Sequence, residues 1–165
     1  MKIYFSHGKE SGPRGFKIKR LAVSAERHGC AVESIDYTDT MDPDLRVGRL
    51  LAALENETDS YVLVGSSMGG YVSLVASETA AAKAVFLMAP ALYMPGLGQQ
   101  EYASKSPHIE IVHGWSDEVI PVENSIRYSK AANCTLHLIS GDHALNAEID
   151  VLEGLFDAFL AKTLG

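Results

Sequence analysis

Apolar positions along this chain fall into two alternating rhythms. Short runs rich in β-branched and aromatic residues, at Lys2-Ile3-Tyr4-Phe5, Ala31 to Ile35, Tyr61-Val62-Leu63-Val64, Lys83 to Met88, Ile109 to Gly114 and Cys134 to Ile139, have the length and composition of buried strands. Between them the period lengthens to that of a helix. Ile18, Leu21, Ala22 and Ala25 make one apolar face, and Val47, Leu50, Leu51 and Leu54 make a second, behind Asp42-Pro43 as N-cap and first-turn proline. Met68 to Ser77 reads as a buried helix and Pro121 opens another. A last helix, from about Leu145 to Leu160, carries Ile149, Leu152, Phe156 and Phe159 on its core face. This alternation predicts an α/β protein, a three-layer α/β/α sandwich with about six mainly parallel strands and right-handed crossovers.

Composition narrows the picture. The 165 residues, 47% of them hydrophobic, fit one domain spanning 1–165 with a substantial core. No apolar run approaches the roughly 20 residues that span a bilayer, and Met1 to Phe5 reads as a core strand rather than a signal-peptide segment, so a cytoplasmic location and no membrane partner are expected. The net charge of −7 argues against nucleic acid as a partner. The basic residues Arg14, Lys17, Lys19 and Arg20 are expected on the solvated face of the first helix. Cys30 and Cys134 lack any metal-type spacing and are expected to be free thiols.

Candidate chemistry centres on Gly65-Ser66-Ser67-Met68-Gly69, between a strand and a helix. G-x-S-x-G in that context is a nucleophile elbow, where small flanking residues let the turn close tightly enough to present a serine alone. The frame makes Ser67 the nucleophile and Ser66 its neighbour. A serine hydroxyl needs a base, and the base needs an orienting acid. Asp117 follows the strand ending at Gly114, and His143 follows the strand ending at Ile139, so both fall at the sheet edge where open parallel sheets bind ligands. His113 is the rival base, but it precedes the acid in chain order and fits a backbone-bonding turn better. Glu118 and Asp142 are rival acids; Glu118 sits closer to solvent, and Asp142 adjoins His143 and points away from it. His28 fits a helix C-cap, while His108 and His137 fit structural roles. The loop His7-Gly8-Lys9 after the first strand would supply one oxyanion N–H from Lys9, with the second from Met68, and His7 would brace that loop.

The ordered set His7-Gly8, Gly65-x-Ser67-x-Gly69, Asp117 and Gly141-Asp142-His143 resembles the α/β-hydrolase superfamily, specifically its small lidless bacterial esterases of the YqiA-like kind, over nearly the whole chain. The resemblance implies a minimal α/β-hydrolase fold that would begin at the third strand of a full-size hydrolase. It implies a serine hydrolase acting on small carboxylic esters or thioesters through an acyl-enzyme, with no metal or organic cofactor. Acyl transfer by the same triad and a non-catalytic binding protein on the same fold are the alternatives. In the opening loop Lys9 and Glu10 stand where the family has apolar and small polar residues. Ala89 to His108 is too short for a helical cap, and Leu92, Tyr93 and Leu97 are expected to wall a shallow pocket for short acyl chains.

Overall fold

In the computed structural model, which describes Met1–Gly165, the chain runs β1 (Lys2–Ser6), α1 (Phe16–Arg27), β2 (Ala31–Ile35), α2 (Pro43–Leu54), β3 (Tyr61–Ser66), α3 (Met68–Ala76), β4 (Ala84–Met88), β5 (Ile109–Gly114), α4 (Val122–Ala132), β6 (Thr135–Ile139) and α5 (Ile149–Leu164). All six strands form one parallel sheet in the order β2-β1-β3-β4-β5-β6. Along each strand successive side chains go to opposite faces, so each face acquires its own core. Tyr4, Leu63, Val85, Leu87 and Ile111 face α2, α3 and α4, while Ile3, Phe5, Val62, Val64, Phe86 and Met88 face α1 and α5. Phe86 meets Phe156 and Phe159 of α5 at ring-centroid distances of 5.1 and 5.0 Å. The long apolar runs of β3 and β4 follow from burial on both sides; the edge strand β2 is largely half-buried or exposed.

The sheet order also fixes where a ligand can sit. From β1 the chain first moves outward to β2, then returns across β1 to build β3 and continues the other way. The crevice opens at this reversal, above the carboxyl ends of β1 and β3. The loop His7-Gly8-Lys9 leaves one of those ends and Ser67 leaves the other.

Two expectations need correction. The last helix begins at Ile149, four residues later than the apolar spacing suggested, because Asp142 Oδ1 accepts the Leu145 N–H and Leu145 takes a positive φ of 55°, which forms a loop. The basic cluster is not one solvated face: Arg14 precedes α1, Arg20 is paired with Asp150 and Glu153 of α5, and Lys17 turns toward the crevice. Residues 89–108 contain no helix, and no helix of the chain is long and apolar enough to cross a membrane.

Candidate active site

Ser67 stands between β3 and α3 at φ 54°, ψ −119°, a conformation an L-residue adopts only under constraint, at a cost of about 1–3 kcal/mol. The constraint is visible. Ser67 N–H donates to Met88 O at 2.9 Å, and its own carbonyl accepts from Ala91 N–H at 2.9 Å, fastening the turn to the end of β4. The turn closes only because of its glycines. A Cβ on Gly65 would lie 2.2 Å from Gly69 O, and one on Gly69 would lie 1.9 Å from Ser6 O. Both flanks of the motif are therefore dictated by backbone-on-backbone contact.

His143 Nε2 lies 3.0 Å from Ser67 Oγ, and its Nδ1 lies 2.8 Å from Asp117 Oδ2. The structure thus brings together Ser67, Asp117 and His143 from three loops at one edge of the sheet. A carboxylate at Nδ1 places the ring proton there and leaves Nε2 free to accept from the serine hydroxyl. The Asp117 side chain is fully buried, whereas His143 is 23% exposed, so the imidazole alone of the pair reaches the crevice. Burial works to raise the Asp117 pKa, but hydrogen bonds from Ile120 N–H, His143 and Val119 N–H outweigh it and hold the carboxyl below its ordinary value. Glu118 is exposed and Asp142 is engaged with Leu145 N–H, so neither takes the place of Asp117.

His113 is not merely part of a turn. Its ring is fully buried behind the acid, with Nε2 3.0 Å from Asp117 Oδ2 and 3.2 Å from Ile120 O. Two acceptors at Nε2 put the proton there, and Nδ1 accepts from Ser125 Oγ at 2.7 Å. Burial holds this imidazole below its ordinary pKa against the opposing pull of Asp117, so it is a neutral donor to the carboxylate. His108 and His137 lie near the far end of β5, where both contact the buried Glu110. His28 caps α1 and meets Asp157.

The loop after β1 is held from beneath. His7 is buried, donates Nδ1–H to Gly8 O at 2.8 Å and accepts Tyr37 N–H at Nε2 at 3.0 Å. The larger brace is Arg46 of α2, a fully buried guanidinium with no carboxylate partner. It donates to the carbonyls of His7, Gly8 and Lys9 at 3.2–3.4 Å and to those of Tyr37 and Thr40 at 2.7–3.3 Å. The guanidinium N–H groups satisfy a cluster of loop carbonyls, of which those of His7, Lys9 and Thr40 have no other protein donor. Arg46 escapes sequence reading because it lies beside Val47 on the buried side of an amphipathic helix, where a charged residue is expected to turn outward.

These loops wall a cleft of about 680 Å³ over Ser67, His143, Lys9 and Met68. Met68 opens α3, so its N–H belongs to the first turn, where helix amides lack intrahelical acceptors. Of the three residues expected on the pocket wall, Leu97 is there, joined by Ala91, Met94 and Pro95. Leu92 is not, because it is wholly buried in the core against α3 and α4. Tyr93, at φ 55°, turns away to pack on Tyr102 at 5.2 Å and beneath the Arg127 guanidinium at 3.8 Å. No group of three or more His, Cys, Asp or Glu side chains is disposed to hold a metal ion, and Cys30 and Cys134 are unpaired thiols.

Comparison with known proteins agrees with this architecture. Residues 1–97 match UPF0227, described as an uncharacterised protein family; the span includes the His7 loop and the Ser67 elbow but stops before Asp117 and His143. A crystal structure from Xanthomonas campestris pv. campestris, described as a candidate hydrolase of the alpha/beta superfamily, is 33% identical, with a TM-score of 0.89 over 98% of each chain. Est1E from Butyrivibrio proteoclasticus is 17% identical, with a TM-score of 0.84 over 99% of this chain and 88% of its own. A second Xanthomonas campestris protein, described as a serine hydrolase without lid, is 18% identical, with a TM-score of 0.71 over 98% of this chain and 81% of its own. The last two show the fold alone. No curated protein matches the chain.

Proposed function

Because this chain belongs to the uncharacterised protein family UPF0227 and has the α/β-hydrolase fold, we propose that it is a serine hydrolase of small carboxylic esters or thioesters, working through an acyl-enzyme. The observation that carries this reading is the unbroken line from Asp117 Oδ2 through His143 to Ser67 Oγ, at 2.8 and 3.0 Å, on the floor of an open cleft.

In this reading Ser67 Oγ attacks the substrate carbonyl carbon while His143 Nε2 takes its proton, and the carbonyl oxygen becomes an oxyanion facing the N–H groups of Met68 and Lys9. Asp117 stabilises the imidazolium and keeps the ring from rotating. The intermediate collapses, the bond to the alcohol or thiol breaks, and His143 returns the proton to that leaving group. Water then repeats the sequence on the acyl-serine, yielding a carboxylic acid and free Ser67. The backbone of the His7 loop bears on the oxyanion, so the charged side chains at Lys9 and Glu10 do not interrupt the chemistry. A cytoplasmic setting and a small-molecule partner are part of the same reading.

Turnover of 4-nitrophenyl esters and acyl thioesters by the wild type and by Ser67→Ala tests it. Release of product that the variant loses supports the reading; wild-type inactivity across the panel, or activity the variant retains, contradicts it.

A further inference from the structure

Lys17 has no part in the triad, the oxyanion loop or either core, yet it lines the same cleft as Ser67, Met68 and His143. Its location is unfavourable for an ammonium group in three ways. It lies in the first turn of α1, behind an N-cap, Gly15, that offers no side-chain bond, and in a turn with no acidic residue, so it faces the positive end of the helix dipole. It is largely withdrawn from water, which lowers its pKa to about 8. It also has no hydrogen bond and no carboxylate at ion-pair distance: Asp142 and Asp117 act on it only through space, and each is engaged elsewhere, by Leu145 N–H and by His143, His113 and two backbone amides. The neighbouring Lys19 is exposed and Arg20 pairs with α5, so this helix has ordinary outlets for its other charges. Nearby, Ile18, Met94, Leu97 and Ile120 supply an apolar stretch of the cleft wall, and the exposed Lys9 and Glu10, of opposite charge, also line the cleft.

We propose that Lys17 is the anion-recognition residue of this cleft, and that the substrate is an ester or thioester which also carries a carboxylate or phosphate group. The proposal rests on the hydrolase reading above. An ammonium group held without a partner in a site of lowered polarity gains most from a negative charge delivered on binding, since the ion pair then forms where water screens it least. The apolar wall accommodates the carbon skeleton between that charge and the ester carbon. The anion can be on the acyl chain or on the leaving group, and Lys17 serves either.

Two substrate pairs separate these sources. Monophenyl succinate against phenyl butyrate places the charge on the acyl side, and 4-acetoxybenzoate against phenyl acetate places it on the leaving group. Specificity constants are measured for the wild-type chain, Lys17→Gln and Lys17→Arg. The expected result is that in at least one pair Lys17→Gln lowers the anionic-to-neutral ratio of kcat/KM about tenfold or more, mainly through KM, while Lys17→Arg keeps it within about threefold. The pair that responds identifies the side of the substrate that bears the anion. Ratios within twofold of wild type in both pairs for Lys17→Gln overturn the proposal. A readout needing no variant is competitive inhibition of the wild type by succinamate against butyramide and by 4-hydroxybenzoate against phenol. Tighter inhibition by the anion in one pair supports the proposal, and equal inhibition within both overturns it. Absence of any Ser67-dependent turnover is a different failure: it removes the hydrolase reading, and this inference with it.

Discussion

Asp117 shows how one side chain is given one task. Its Oδ2 meets both His143 and His113, and its Oδ1 meets the amides of Val119 and Ile120, so every lone pair is assigned and the carboxylate cannot turn. Asp117→Asn presents an amide N–H toward one of these donors and leaves His143 without its preferred tautomer. A loss of about 10⁴ in kcat is expected, while Glu118→Gln, altering an exposed neighbour, stays within about twofold. Steady-state kinetics on a short-chain ester decide the ranking. At this scale the candidate triad could be read from sequence because a glycine-bounded serine, an acid and a histidine each follow a recognisable strand. Lys17, Arg46 and the second contact of His113 could not. Their roles depend on which way a side chain leaves its backbone and on what another segment, remote in sequence, places opposite it.

At the scale of elements, α2 reaches through Arg46 under the loop that follows β1, and α4 reaches through Ser125 to His113 behind the loop that follows β5. Each crevice loop is thereby held by a helix that contributes nothing to its floor. Arg46→Met fills the volume but leaves the carbonyls of His7, Lys9 and Thr40 without a protein donor, at about 1–3 kcal/mol for each that finds no water. A lowered Tm is expected together with a fall in kcat on esters, because the Lys9 amide loses its support; unchanged kcat and Tm would contradict this role. The buried imidazoles add a pH dependence. Burial holds both His7 and His113 below the ordinary histidine value of 6.5, so the unfolded chain binds more protons as pH falls through that value. Their contribution is present above about pH 6.5 and is lost below it. Thermal melts should show a Tm that declines from pH 6.5 to 5, less steeply in His113→Gln; an equal slope in the variant would exclude His113 as a source. Element order and most boundaries were legible from apolar spacing, but the start of α5 was not. Leu145 continues the apolar series while a side-chain bond from Asp142 and a left-handed backbone keep it out of the helix.

For the whole molecule, the reversal of strand order between β1 and β3 opens the crevice, and the 89–108 segment leaves it without a helical cover. A cleft of about 680 Å³ walled by Ala91, Met94, Pro95 and Leu97 suits short chains, since a long chain would leave much of its length in water. Acetyl to hexanoyl 4-nitrophenyl esters are therefore expected to exceed palmitoyl esters in kcat/KM, with no activation at a lipid interface; a marked palmitoyl preference would contradict the open cleft as the binding site. The layered architecture was legible in sequence because two-sided burial of β3 and β4 leaves continuous apolar runs, whereas the wall of the cleft was not. Leu92, Tyr93 and Leu97 look alike in sequence, and a positive φ at Tyr93 sends its ring away from the cleft. The expectations about turnover depend on Ser67 being a nucleophile activated by His143. The most direct measurement is reaction of the purified protein with a fluorophosphonate, followed by mass-spectrometric mapping of the adduct in wild type, Ser67→Ala and Ser66→Ala. One phosphonyl group on Ser67, absent in Ser67→Ala and retained in Ser66→Ala, is the predicted result. An adduct that persists in Ser67→Ala, or a wild-type protein that does not react, would contradict it.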